Sequence, residues 1–222
     1  MRVVNIDSAR EVTIDIPGLK AAEVDLRFLL RRNYQRDSAL SFVGNHYQLG
    51  ALERNLLYRG VFTRETAKKR RSKTVNVRRL EGAPLIVDGY NCFITLENCL
   101  DGQPMIYADD GFVRDARRVF RSYRPSKKTL HAWSLIARVL RRHPPSFILV
   151  LLDAPYSGSG KFASNINRWL KAEDLSGNAR TETRNESFVA SIQGIKASAD
   201  SVIIDRSDRV FDLAGYIIKK IL

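Results

Sequence analysis

The spacing of apolar residues changes character about a third of the way along the chain. Residues 2–16 lean towards β structure or an extended arm. From Leu19 to about Arg32 the pattern is helical. Leu26, Leu29 and Leu30 stand at i, i+3 and i+4, Val24 and Phe28 widen the stripe, and Arg27, Arg31 and Arg32 fall off it. Two shorter helices are expected over Ser38 to Tyr47 and Ala51 to Tyr58, with Gly60 closing the second. Three such helices resemble a helix-turn-helix, with Arg54 and Arg59 towards a phosphate backbone.

Beyond residue 82 apolar runs alternate with helical segments. Leu85, Ile86 and Val87 run together without alternation, as in a strand buried on both faces, and end on Asp88-Gly89. Further strands are expected over Met105 to Ala108, Phe147 to Leu152, Ala179 to Arg184 (an edge) and Ser201 to Asp205. Helices are expected over Phe93 to Leu100, Phe112 to Tyr123, Leu130 to Arg142, Phe162 to Lys171, Glu186 to Ile195 and Val210 to Leu222. The implied fold is α/β: a mostly parallel sheet with helices on both faces, preceded by a small helical domain. The divisions are residues 1–63 for the helical domain, 64–82 for a basic linker and 83–222 for the α/β domain.

Charge refines this picture. The net charge is +13, and residues 1–80 hold 17 Lys and Arg against 8 Asp and Glu. Lys68, Lys69, Arg70, Arg71 and Lys73 crowd the linker with no acid among them, so it reads as an exposed arm for a polyanion, most simply nucleic acid. Arg114, Arg117, Arg118, Arg121 and Arg124 suggest a basic face on one helix. No apolar run reaches the ~18 residues of a membrane span. The start of the chain has no signal-peptide pattern, so a cytoplasmic protein is expected. Cys92 and Cys99 without nearby histidine make a poor zinc pattern, and His46, His131 and His143 show no ligand spacing.

The acids carry the chemistry. Asp88 and Asp153 each end a predicted strand, and right-handed crossovers bring the carboxyl ends of parallel strands to one sheet edge. Carboxylates gathered there repel one another unless a cation holds them, and hard oxygen ligands suit Mg2+ or Mn2+. Asp110 ends the short strand, and Asp200 stands just before, or at the start of, the last one. Tyr156-Ser-Gly-Ser-Gly-Lys161 sits where a phosphate-binding loop would, but Pro155 and Phe162 break the P-loop pattern. Lys161 is retained as a phosphate contact.

Leu85-Ile-Val-Asp-Gly-Tyr-Asn91 resembles the opening motif of PIN-like nucleases, especially the NYN branch. Phe147 to Asp153 resembles the later strand and acid of that fold, and Lys196-Ala-Ser-Ala-Asp200 its closing acid segment. The whole chain is also similar to an uncharacterised, mainly archaeal, two-domain family with a helical part before a PIN-like part. The resemblance implies metal binding by Asp88, Asp153 and Asp200, with Asn91 orienting water or phosphate. Asp109, Asp110, Asp115 and Glu186 compete for a fourth place. It implies a metal-dependent nuclease, most simply an endoribonuclease. Two departures are that Ala199-Asp-Ser stands where NYN proteins often have Ala-Asp-Asp, and that it enters a predicted strand rather than a helix. The alternative is a catalytically inactive PIN-like module that binds RNA or a protein. Homo-oligomerisation stays open.

Overall fold

The computed structural model of the protein describes residues 1–7, 10–116, 123–154, 158–183 and 185–222. The chain divides into two compact units, one of residues 1–72 and 101–118, the other of residues 73–100 and 119–222. No helix among the described residues is long and apolar enough to cross a membrane.

The first unit contains β1 (Arg2–Asp7), β2 (Arg10–Thr13), α1 (Leu19–Arg31), α2 (Arg36–His46), α3 (Ala51–Gly60) and α4 (Arg64–Arg71). Its helices follow the apolar periodicity: Leu26, Val43, Leu56 and Leu57 are buried in one core with Ile106. The unit is more than helical, because a four-stranded antiparallel sheet runs through it in the order β2-β1-β4-β5. Its last two members, β4 (Met105–Tyr107) and β5 (Val113–Asp115), come from within the predicted α/β region. Val113 to Asp115 therefore form a strand where a helix was expected. Arg117, Arg118, Arg121, Val119 and Phe120 of that expected helix lie outside the described residues.

The basic stretch is no free arm. Thr63 caps α4 by accepting a hydrogen bond from the Thr66 N–H at 3.1 Å, so Arg64–Arg71 form a helix. On it Arg70 is buried and donates to Asp110 at 3.0 Å, while Arg114 donates to both oxygens of Asp110 at 2.8 and 2.9 Å. Burial alone would raise the Asp110 pKa, but Arg114 and Arg70 outweigh it and hold the carboxyl below its ordinary value. The guanidiniums of Arg36, Arg70 and Arg114 sit 4.7, 4.4 and 5.3 Å from the centre of the Phe62 ring. Burial, reinforced by Arg70 and Arg114, pushes Arg36 down to about 10. Arg54 and Arg59 are likewise occupied, by Leu49 O at 2.8 Å and by Asp115 at 3.2 Å.

The second unit holds the parallel sheet. Its strands are β3 (Pro84–Asp88), β6 (Phe147–Asp153), β7 (Gly177–Glu182), β8 (Ile195–Ala197) and β9 (Val210–Phe211), in the order β7-β6-β3-β8-β9 and all parallel. The helices are α5 (Gly89–Leu100), α6 (Lys127–Arg142), α7 (Ser159–Ala172), α8 (Asn185–Ser191), α9 (Ser201–Arg206) and α10 (Leu213–Lys220). Phe93 of α5 packs edge-on to Phe162 of α7, and Trp133 of α6 stacks on Trp169, so these helices share a face. α8 and α9 cover the other, with Val189 and Ile203 against Ile86 and Leu151.

Three elements differ from expectation at the end of the chain. Ile195–Ala197 and Val210–Phe211 are strands, and Ser201–Arg206 is a helix rather than the last strand. The β-branched Val202-Ile-Ile204 run suggested a strand. Asp200 decides otherwise: its Oδ1 accepts from the N–H groups of Val202 and Ile203 at 2.8 and 3.1 Å and starts a helical turn that buries Ile203 and Ile204. Gly89 is needed for close approach rather than for an unusual backbone turn. A Cβ there would lie 2.6 Å from Leu152 Cδ2 and 3.0 Å from Leu151 O.

Removing Asp110 leaves two buried guanidiniums uncompensated, so Asp110→Ala should destabilise the chain by about 3–5 kcal/mol. Lys68→Ala and Lys69→Ala, at exposed positions of the same helix as Arg70, should change stability by no more than about 0.5 kcal/mol. Urea unfolding of the three variants checks both; equal effects would remove the distinction drawn between the buried and exposed halves of the basic stretch.

Candidate functional site

From β3 in the middle of the sheet the chain runs outward through β6 to β7, then returns to β8 and on to β9. Right-handed crossovers place the outward and returning connections on opposite faces. The loops leaving β3 and β8 therefore part, and a crevice opens between the carboxyl ends of these neighbours, where open α/β sheets bind ligands.

Asp88 is the last residue of β3. It pairs in register with Leu151 of β6, so Asp153, two residues further on, projects to the same face. Ser198 follows β8 directly, and its hydroxyl donates to Asp88 Oδ2 at 2.9 Å while accepting from the Asp200 N–H at 3.0 Å. Asn91, in the first turn of α5, accepts through Oδ1 from the Ala199 N–H at 2.8 Å. The Asp-Gly-Tyr-Asn stretch and the Ser-Ala-Asp segment are thus stitched together across the crevice. Through this bond Asn91 positions that segment. Ser198 is the residue that sequence reasoning missed; its signal was its place two residues before Asp200.

The acids influence one another. Burial pushes the Asp88 carboxyl up to about 8; Asp200 and Asp153 add to this, and the hydrogen bonds from Ser198 and the Asn91 backbone oppose it. Asp153 is pushed up to about 6 by burial, then by Glu186 and Asp200. Glu186, on α8, is thus close enough to Asp153 to act on its carboxyl. Among the described residues, no group of three or more acid, histidine or cysteine side chains stands ready to hold a metal ion as placed. The donor chemistry nevertheless fits a hard cation: oxygen ligands that carry repulsion when ionised.

The other candidates lie elsewhere or are occupied. Asp110 belongs to the first unit and is consumed by Arg70 and Arg114, so it does not complete the site, and neither arginine is available to a nucleic acid. Asp109 accepts from the Phe62 N–H and from Arg27, and Asp115 pairs with Arg59. Arg71 donates to the Asp109 carbonyl. Lys73 donates to the carbonyls of Ile204 and Asp205 at 2.9 and 2.7 Å, closing the end of α9. Lys68, Lys69 and Lys161 are exposed. Lys161 lies in the first turn of α7, the helix that follows β6 and Asp153.

Residues 77–216 match a family described as "Domain of unknown function (DUF5616)", and residues 18–73 match one described as "Protein of unknown function (DUF434)". The chain is 29% identical over 187 residues to "Uncharacterized protein MJ0935" of Methanocaldococcus jannaschii, covering 84% of this chain and 89% of that protein. No solved structure matches.

A carboxyl raised from 3.8 to about 8 keeps a proton that the unfolded chain releases. Stability without divalent cations should therefore be greatest near the acid end of that window and decline as pH rises through it. Asp88→Asn, which cannot ionise, should flatten the decline. Urea midpoints between pH 5 and pH 8.5 in chelator measure both; a wild-type profile as flat as that of the variant would show that Asp88 is not held protonated.

Proposed function

The chain belongs to the DUF5616 family, and we propose that its α/β unit is a metal-dependent nuclease of PIN-like type acting on RNA. The observation that carries this reading is the gathering of Asp88, Asp153, Asp200 and Glu186 at the point where the sheet changes winding direction. Burying like charges together is costly, and acids so arranged at a ligand-binding edge are a mark of function rather than of packing. Asp200 capping a helix supports the nuclease pattern at that segment, while Ser201 still stands where that pattern often has a second Asp.

Asp88, Asp153 and Asp200 would hold Mg2+ or Mn2+. When bound, such an ion lowers the pKa of water and stabilises the leaving oxygen of a phosphodiester. Ser198 holds Asp88 by its hydroxyl, itself fixed by the Asp200 N–H, and Asn91 fixes the backbone that carries Asp200. Asp200 spends one oxygen on the helix cap, leaving the other for a ligand. Glu186 is exposed and lies near Asp153, a place from which it can take a proton from a substrate-side water. Lys161 offers a positive charge to a substrate phosphate.

A second reading, a module that binds RNA or a protein without cleaving, is favoured by the absence of a ready coordination group among the described residues. Metal and cleavage assays separate the two. On the nuclease reading, Mn2+ raises the thermal midpoint of the wild type at pH 8, where it replaces the proton of Asp88, and does so less in Asp88→Asn or Asp153→Asn. Labelled single-stranded RNA is cut by the wild type with metal and by neither variant. Ser198→Ala should lower metal affinity about 10–100-fold without abolishing it. A wild type that neither responds to Mn2+ or Mg2+ nor cuts RNA would leave the binding module.

A further inference from the structure

At the amino-terminal edge of the same parallel sheet, opposite the acids, lies a cavity of about 640 Å³ lined by Asn76, Arg78, Arg142, His143, Tyr216 and Lys220. A second hollow of about 270 Å³ shares Arg142, His143, Tyr216 and Lys220 with it and adds Arg138. The three walls have separate origins. Asn76 and Arg78 lie in the turn leading to β3, Arg138 to His143 end α6 just before β6, and Tyr216 and Lys220 lie on α10. Backbone bonds from Gly82 N–H to Pro144 O at 2.9 Å and from Ser146 N–H to Ala83 O at 3.1 Å join the first two walls.

The charge balance of this cavity is one-sided. Arg78, Arg142 and Lys220 line it, Arg138 lines the adjoining hollow, and no acid lines either. Among the described residues none of these four side chains forms a salt bridge, although the adjacent Arg141 pairs with Glu173 at 2.6 Å. Glu81 is taken by His143 Nδ1 at 2.7 Å. Complementing helix carbonyl ends accounts for Arg142 on α6 and Lys220 on α10. It does not account for Arg78, which comes from a different segment, or for the concave surface between the three. Three cations around a concavity of this size, with a fourth on the adjoining hollow, match a compact anion of several charges.

We propose that this cavity binds a di- or triphosphate group. Arg78 and Arg142, which line it from separate segments, act as the principal phosphate contacts, Lys220 adds a third cation, and the half-buried Tyr216 lies beside them. Free pyrophosphate and the phosphate chain of a nucleotide share this chemistry. The inference is independent of the nuclease reading, since it uses no residue of the acid crevice and needs no metal.

Titration calorimetry of the full chain in chelator, with inorganic pyrophosphate, ADP, ATP, AMP and adenosine, tests it. Binding should strengthen with the number of phosphates, and adenosine should not bind. Arg78→Ala and Arg142→Ala should each weaken pyrophosphate binding about tenfold, the loss expected of one charge-assisted contact. Asp88→Asn should bind like the wild type, so that failure here and failure at the acid crevice are told apart. If ADP binds more tightly than pyrophosphate and Tyr216→Leu removes that advantage, the ligand is a nucleotide; equal affinities point to the inorganic ion. The proposal is overturned if wild type does not bind pyrophosphate, if binding survives the combined Arg78→Ala and Arg142→Ala change with the fold intact by circular dichroism, or if an RNA oligonucleotide occupies the cavity and triphosphate does not displace it.

Discussion

Asp88 is a carboxyl group withdrawn from water at the centre of a parallel sheet, with two more aspartates near enough to oppose its ionisation. The placement follows from how the sheet is wound. A chain that starts in the middle, builds outward to one edge and returns to build the other must separate its connections beside the starting strand. Whatever residues stand at the carboxyl ends of β3 and β8 then face a common crevice. In this chain those residues are Asp88 and the Ser198-Ala-Asp200 segment. The rest of the site, from the capping role of Asp200 to the cross-links by Ser198 and Asn91, holds that crevice in shape.

The two units treat charge in opposite ways. In the first, Asp110 is wholly buried and its charge is answered by Arg114 and Arg70, so burial serves packing. In the second, Asp88 is nearly as buried, and burial, Asp200 and Asp153 together oppose its ionisation. A buried acid held by two arginines is a structural fixture, whereas one with further acids nearby is kept from its ordinary charge state. The same contrast recurs within the α/β unit, where acids collect at one edge of the sheet and unpaired arginines line a cavity at the other.

Much of this architecture was written in the apolar periodicity. Leu85 to Val87 and Phe147 to Leu152 form neighbouring central strands, as their unbroken apolar runs, bounded by turn residues, suggested. Leu26 and Leu56 lie on helices at the expected spacing. The errors came where short-range preference and long-range contact disagree. Ser201 to Arg206 contains strand-forming residues but folds as a helix, because Asp200 supplies its first hydrogen bonds and Ile203 finds a core beneath it. Val113 to Asp115 pair with Met105 to Tyr107 as a strand for want of any local marker distinguishing them from a helix.

By itself, the amino-acid sequence determined that Asp88 and Asp153 would end strands of a parallel sheet and so meet at one edge, because strand direction and crossover handedness leave no other arrangement. It also determined the excess of positive charge. Only the tertiary structure decided how each charged group is spent. Asp110, Arg70 and Arg114 neutralise one another, Lys73 closes a helix, and Ser198 and Glu186 join the acids. Those assignments depend on residues far apart in the chain arriving within a few ångströms, a relation that spacing along the sequence does not encode.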